Sequence, residues 1–148
     1  MNKKGFTLIE IIIVIVILGV LATLALPRLS AQVGASEAAE AMQFFGAIKR
    51  AAMSCYDSTN DFTLCNRQSS LSVSVPATTK FTYSQLATAS AISFWAVSTS
   101  NTANYIMMTV AQDGKTLMAT PTSTPYIGIV SKVGRTTASV APGTAAAF

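Results

Sequence analysis

Histidine is absent from the 148 residues, and with it go the commonest general base and the commonest metal ligand. Acids are scarce as well. Six carboxylates in the whole chain leave little material for acid–base pairs or an oxygen-rich cation site. Charged residues make up 11% of the sequence, against roughly 25% in an average soluble domain. That excludes a highly charged disordered chain and argues against an ordinary cytosolic enzyme. The formal charge is +4, but Lys3 and Lys4 supply half of it. The remainder is too sparse for the clustered footprint that nucleic acid requires, so no nucleic-acid partner is indicated. Two cysteines without histidine rule out a zinc site of the ordinary type. Serine and threonine hydroxyls are plentiful but have no histidine to activate them. No catalytic, cofactor-binding or metal-binding residue is therefore assigned. N-glycosylation has no acceptor either, because none of Asn2, Asn60, Asn66, Asn101 and Asn104 is followed two places on by serine or threonine.

What the chain has in excess is concentrated at one end. From Ile11 to Leu26 it reads IIIVIVILGVLATLAL without a charge, and from Phe6 to Leu26 the polar interruptions are Thr7, Glu10 and Thr23. As a helix rising about 1.5 Å per residue, this stretch spans roughly the 30 Å of a bilayer's hydrocarbon core. Lys3 and Lys4 precede it, which places the N-terminus in the cytoplasm and exports the remainder. A cleaved secretory signal, a plain membrane anchor and an assembly segment all fit this much. Glu10 separates them, because an acid in such a helix costs about 2.5–3.5 kcal/mol on insertion scales. A cut between Gly5 and Phe6 would create an α-amino cation one helical turn from that carboxylate. The two could neutralise each other within one chain or between neighbours. A secretory signal has no use for the arrangement, and its usual A-x-A cleavage pattern is missing.

Lys3-Lys4-Gly5-Phe6-Thr7-Leu8-Ile9-Glu10, followed by the apolar run and Pro27, closely resembles the N-terminus of type IV pilins and type II secretion pseudopilins. The resemblance covers about the first thirty residues strongly and the rest in outline. It implies a leader of residues 1–5, removed by a prepilin peptidase between Gly5 and Phe6, and N-methylation of Phe6. It also implies that the helices pack into a filament core, with Glu10 meeting the Phe6 amine of an adjacent subunit. The expected partners are identical subunits in a helical filament, the peptidase, the pilus assembly machinery, and the inner membrane that holds the precursor before export to the cell surface. The short leader fits the type IVa and type II secretion groups.

The remaining chain divides by texture. Residues 6–27 form the transmembrane and assembly helix, and Pro27 is expected to kink or locally melt it. Residues 28–54 continue as an amphipathic helix whose stripe is Ala41, Phe44, Phe45, Ile48, Ala52 and Cys55. Gly19 and Gly34 are soft points in these helices, read as close helix contacts or as tolerated. Residues 55–148 read as a β-rich head. Strand candidates are Leu71–Val75, Phe81–Tyr83, Ile92–Val97, and the hairpin Tyr105–Val110 with Thr116–Thr120. Asp113-Gly114 between the last two suits a type I′ turn. Tyr126–Val130 reads as an edge strand, and Ala138–Phe148 as a small-residue tail without evident order. The fold class is therefore α+β, a long N-terminal helix packed on an antiparallel sheet of three to five strands, the pilin fold.

Cys55 and Cys65 lie in an exported segment where oxidation is permitted, so they read as a disulfide, the alternative being two separate buried thiols. Many type IVa pilins instead bracket a segment near the C-terminus with their disulfide, so adhesive roles assigned to that region do not carry over. Two functions remain open: a structural subunit of an extracellular pilus, and a pseudopilin of a short periplasmic filament. Major pseudopilins bind calcium through acids near the C-terminus, whereas no Asp or Glu follows Asp113 here, which favours the pilus. A lone membrane anchor carrying a small binding head is a third reading, with no processing at Gly5. Adhesion, motility and DNA uptake all use such filaments, and nothing in the head singles one out.

Overall fold

The computed structural model describes residues 5–76, 80–121, 124–131 and 146–147. The chain divides into two compact units, Met1–Val33 and Gly34–Phe148. Helix α1, Leu8–Thr59, starts in the first unit and ends in the second. Its start is set by Thr7, whose hydroxyl accepts from the Glu10 N–H. Through Leu26 every side chain is exposed. Thr23 returns its hydroxyl to the Val20 carbonyl at 2.7 Å, so the one neutral polar side chain after the first turn satisfies itself on its own helix. Helical structure runs without interruption through Pro27, so the backbone does not melt there.

In the second unit the expected stripe is buried except for Cys55, which is half-buried, and Ala38 extends it. Ala38, Ala41, Phe44, Phe45, Ile48 and Ala52 are each no more than 5% exposed. They pack on a five-stranded antiparallel sheet ordered β4-β3-β2-β1-β5. Its strands are β1 Phe81–Ala87, β2 Ala91–Ser98, β3 Tyr105–Ala111, β4 Thr116–Ala119 and β5 Ala146–Ala147. Alternation decides the faces, as it must at a period of two. Phe81, Tyr83, Ile92, Phe94, Ala96, Ile106, Met108, Val110 and Met118 join the helix stripe in one core. Trp95, Tyr105, Met107 and Ala119 form a second cluster, from the alternate positions of β2, β3 and β4.

Several expectations are corrected. Helix α1 ends at Thr59 rather than Ser54. Its last turn is polar in sequence, yet the Tyr56 ring stacks on Phe62 at 4.5 Å and Ser58 and Thr59 donate to the Cys55 carbonyl. Asn60, at φ 55°, then stops it with a 2.6 Å bond from its N–H to the Tyr56 carbonyl. Leu71–Val75 is not a strand. Helix α2, Gln68–Leu71, ends where Ser72 adopts φ 50°, and Val73 and Val75 still pack on the core. The alternation reported which side chains point inward, not a ladder partner. Tyr126–Val130 is likewise no edge strand: α3, Ile127–Val130, follows Pro125, and Tyr126 and Val130 are buried four residues apart.

The β3–β4 turn also differs from expectation. The Gly114 N–H donates to the Ala111 carbonyl, and among the described residues Asn60 and Ser72 are the non-glycine positions with positive φ. Asp113 is therefore not left-handed; Gly114 alone is, at φ 76°. This is a type I turn followed by a glycine bulge, which keeps the right-handed twist of the hairpin while straining no side-chain-bearing residue. Most of the C-terminal tail lies outside the described residues, but Ala146–Ala147 is ordered as β5, pairing with Gln85 and Ser84.

Candidate assembly site on the N-terminal helix

The first turn of α1 carries the candidate site. Gly5 and Phe6 precede the helix without regular structure, and Phe6 is 85% exposed. A side chain built on Gly5 would meet nothing within 4 Å. Among the described residues nothing therefore packs on the Gly5–Phe6 peptide bond. Residues 1–4 of the expected leader lie outside the described residues.

Glu10 is not left unpartnered in this turn. The Thr7 N–H donates to Glu10 Oε2 at 2.8 Å and the Thr7 hydroxyl donates to the same oxygen at 2.7 Å. With Thr7 as N-cap and Glu10 three residues on, this is a capping box, which satisfies helix-start donors reciprocally. Both bonds use Oε2, and among the described residues Oε1 accepts none. Thr7 is the site residue that sequence reasoning missed. The signal was present, since Thr-x-x-Glu ahead of an apolar run is the capping-box signature. The Phe6 nitrogen is still an amide here, so no amine exists to meet Glu10 while residues 1–5 remain attached.

The apolar span behind this turn is Leu8–Leu26, 19 residues with a mean hydropathy of 3.0 and none of it buried within the chain. Among the described residues it is the one helix long and apolar enough to cross a membrane. Pro27 lies directly after it, inside α1.

Cys55 and Cys65 belong to the second unit, where they form a disulfide with Cα atoms 6.0 Å apart. The bond ties the last turns of α1 to the 3₁₀ turn Phe62–Cys65, whose N-cap Asp61 accepts from the Thr63 N–H. Phe62 in turn reaches the β1–β2 connection through its N–H to the Ala89 carbonyl. The bridge therefore fastens helix end to sheet end.

The other polar features of this unit hold it together. Lys80 pairs with Glu37 at 3.4 Å, and Glu37 also accepts from the Tyr126 hydroxyl at 3.4 Å. Burial, with the charge of Glu40 nearby, pushes the Tyr83 hydroxyl up to about 12. Burial likewise raises Tyr105 and Tyr126. Lys115 beside Asp113 holds that exposed carboxyl below the usual range. Among the described residues no three His, Cys, Asp or Glu side chains gather where they could hold a metal ion.

Residues 1–26 match the prokaryotic N-terminal methylation motif. The fimbrial protein EcpC of Eikenella corrodens is 46% identical over 54 residues, 36% of this chain and 35% of that protein. The match thus spans about a third of the curated relative's length. No solved structure matches the chain. The motif and the fimbrial relative thus show a similarity to the type IV pilin family over part of the chain.

Proposed function

We propose that the chain is made as an inner-membrane precursor, cut after Gly5 by a prepilin peptidase, N-methylated on Phe6, and polymerised with identical copies into an extracellular pilus. The observation that carries this reading is an exposed Gly5-Phe6 bond one turn ahead of Glu10, at the head of a 19-residue apolar span that buries nothing in its own chain. Such a span needs lipid or other copies of itself around it, because water is a poor solvent for it. Cleavage exposes a cation on Phe6. Glu10 Oε1 is open to accept from that amine on an adjacent copy while Oε2 keeps its bonds to Thr7. Capping the helix and pairing between subunits are thus compatible. Pro27 lacks the N–H its helical position would otherwise donate, and we place a bend of the helix there.

The test is an intact mass of the protein in material sheared from the cell surface. The expected mass lacks Met1–Gly5, gains one methyl group, and lacks the two hydrogens lost in the Cys55–Cys65 bond. An unprocessed chain, or one cut near Ala22, overturns the filament reading. The same processed mass confined to membrane and periplasm points to a short secretion-type filament instead. Glu10→Ala supplies a second check: membrane insertion is kept or improved, by up to about 3 kcal/mol, while fibres are lost. Fibres in unaltered quantity from that variant would remove the pairing step.

A further inference from the structure

We propose that neighbouring copies of this chain dock side by side through Glu40 on one flank of α1 and Lys49 on the opposite flank. This rests on the filament reading above and names the contact that sets the register of the heads.

Within the second unit the stripe Ala38, Ala41, Phe45, Ile48 and Ala52 faces the sheet. Glu40 and Lys49 are nine residues apart. At 3.6 residues per turn that is two and a half turns, so they point to opposite sides of the helix, about 13.5 Å apart along its axis. Contacts fix which side each one takes. Phe44, one turn from Glu40, lies with its ring 4.4 Å from that of Tyr83 on β1. Met53, one turn from Lys49, lies against the β3–β4 turn, where a Cβ on Gly114 would sit 3.8 Å from its Cε. The acid therefore lies on the β1 side of the head and the base on the side of the β3–β4 turn.

Neither charge makes an ion pair within its own chain among the described residues. Among the described residues the ion pairs are Lys80–Glu37 and Lys115–Asp113. Glu40 and Lys49 are both half-exposed, so each is accessible to a neighbouring molecule. Half a turn of separation prevents them from meeting within one molecule. Two copies meeting by the same flank would oppose acid to acid or base to base, which disfavours a closed two-fold dimer. Parallel copies meeting by unlike flanks bring Glu40 of one to Lys49 of the next, with a shift of about 13.5 Å along α1. A heterologous contact of this kind does not close on itself and propagates as a line. Charges placed so fix register more than they add affinity. Arg50, next to Lys49, faces away from the sheet and lies off this contact.

Charge reversal tests it. Fibres are sheared from cells making Glu40→Lys, Lys49→Glu, or both, and quantified beside the unaltered chain. Each single reversal is expected to lower fibre yield by about tenfold, since it turns every attraction along the line into a repulsion. The double reversal is expected to restore it. Because the two positions cannot touch within one molecule, restoration requires contact between copies. Intact mass of the membrane pool confirms that every variant keeps its disulfide. Single reversals that assemble normally overturn the inference, as does a double variant no better than the singles. Absence of fibres from the unaltered chain overturns the filament reading itself, a distinct outcome.

Discussion

The two parts of α1 put the same residue types to opposite use. From Leu8 to Leu26 isoleucine, valine and leucine are exposed throughout. From Gly34 to Cys55 a sparser set of alanines, phenylalanines and one isoleucine is almost fully covered by the sheet. Apolar surface of either kind gains about 25 cal/mol per Å² on leaving water. In the second stretch that gain is realised inside the chain and stabilises the fold. In the first it is not realised within the chain, where none of the span Leu8–Leu26 is buried, and on the filament reading proposed above it is realised against lipid or other copies. Hydrophobicity alone does not define a core; what it packs against does.

The strongest test of this contrast is one substitution made in both places. Ile48→Ala removes a fully buried side chain and is expected to destabilise the head by about 2–5 kcal/mol. Ile13→Ala, at a position 53% exposed, should leave unfolding of the head unchanged within about 0.5 kcal/mol. Chemical denaturation of the full chain in detergent, followed through Trp95 fluorescence, reads both; equal effects would erase the distinction.

Cys55→Ser with Cys65→Ser comes next. Opening a bridge whose partners are 10 apart in sequence is expected to cost roughly 2–3 kcal/mol. Because the bridge lies wholly in the second unit, the loss should appear in the tryptophan transition and leave the helicity of Leu8–Leu26 alone. A fall in both signals together would mean that the two parts unfold as one.

The glycines sharpen the comparison further. A Cβ on Gly34 would stand 2.6 Å from the Pro125 Cβ and 3.2 Å from its carbonyl oxygen, whereas one on Gly19 meets nothing within 4 Å. Gly34→Ala therefore has to displace the segment leading into α3, at about 1–3 kcal/mol. Gly19→Ala costs the fold nothing and raises helix propensity. Thermal unfolding of the two variants should separate them, and identical midpoints would contradict the close approach.

The smallest effect concerns alkali. A tyrosine whose pKa is raised by folding holds its proton more tightly in the folded state, so its contribution is full below about 10 and fades as pH rises through the folded value. For Tyr83 that value is about 12, and Tyr105 and Tyr126 shift the same way. Head stability should fall between roughly pH 10 and 12. Among the described residues the buried Tyr83 hydroxyl has no hydrogen-bond partner, so Tyr83→Phe should be nearly neutral at pH 7 and flatten the alkaline decline. A decline as steep in that variant would assign it elsewhere.

Where the sequence could be read and where it could not follows a physical line. The apolar run, the amphipathic stripe, β2 and the β3–β4 hairpin were legible because each is a local pattern whose period equals that of its structure. Gly5, Phe6 and Glu10 lie in the segment that matches the N-terminal methylation motif, and Thr7 was overlooked although its spacing from Glu10 was in plain view. Leu71–Val75 and Tyr126–Val130 were misread because alternation and β-branching say which side chains turn inward, while a strand also needs a neighbour to bond.

By itself, then, the sequence determined the exposed helix, its carboxylate and the apolar stripe that the sheet buries, all of which depend on neighbours a few residues away. Tertiary structure alone decided that the C-terminal alanines would line the edge of β1 and that Gly34 would be closed by Pro125. Each of these joins residues distant along the chain, and only the packed sheet brings such residues within reach of each other.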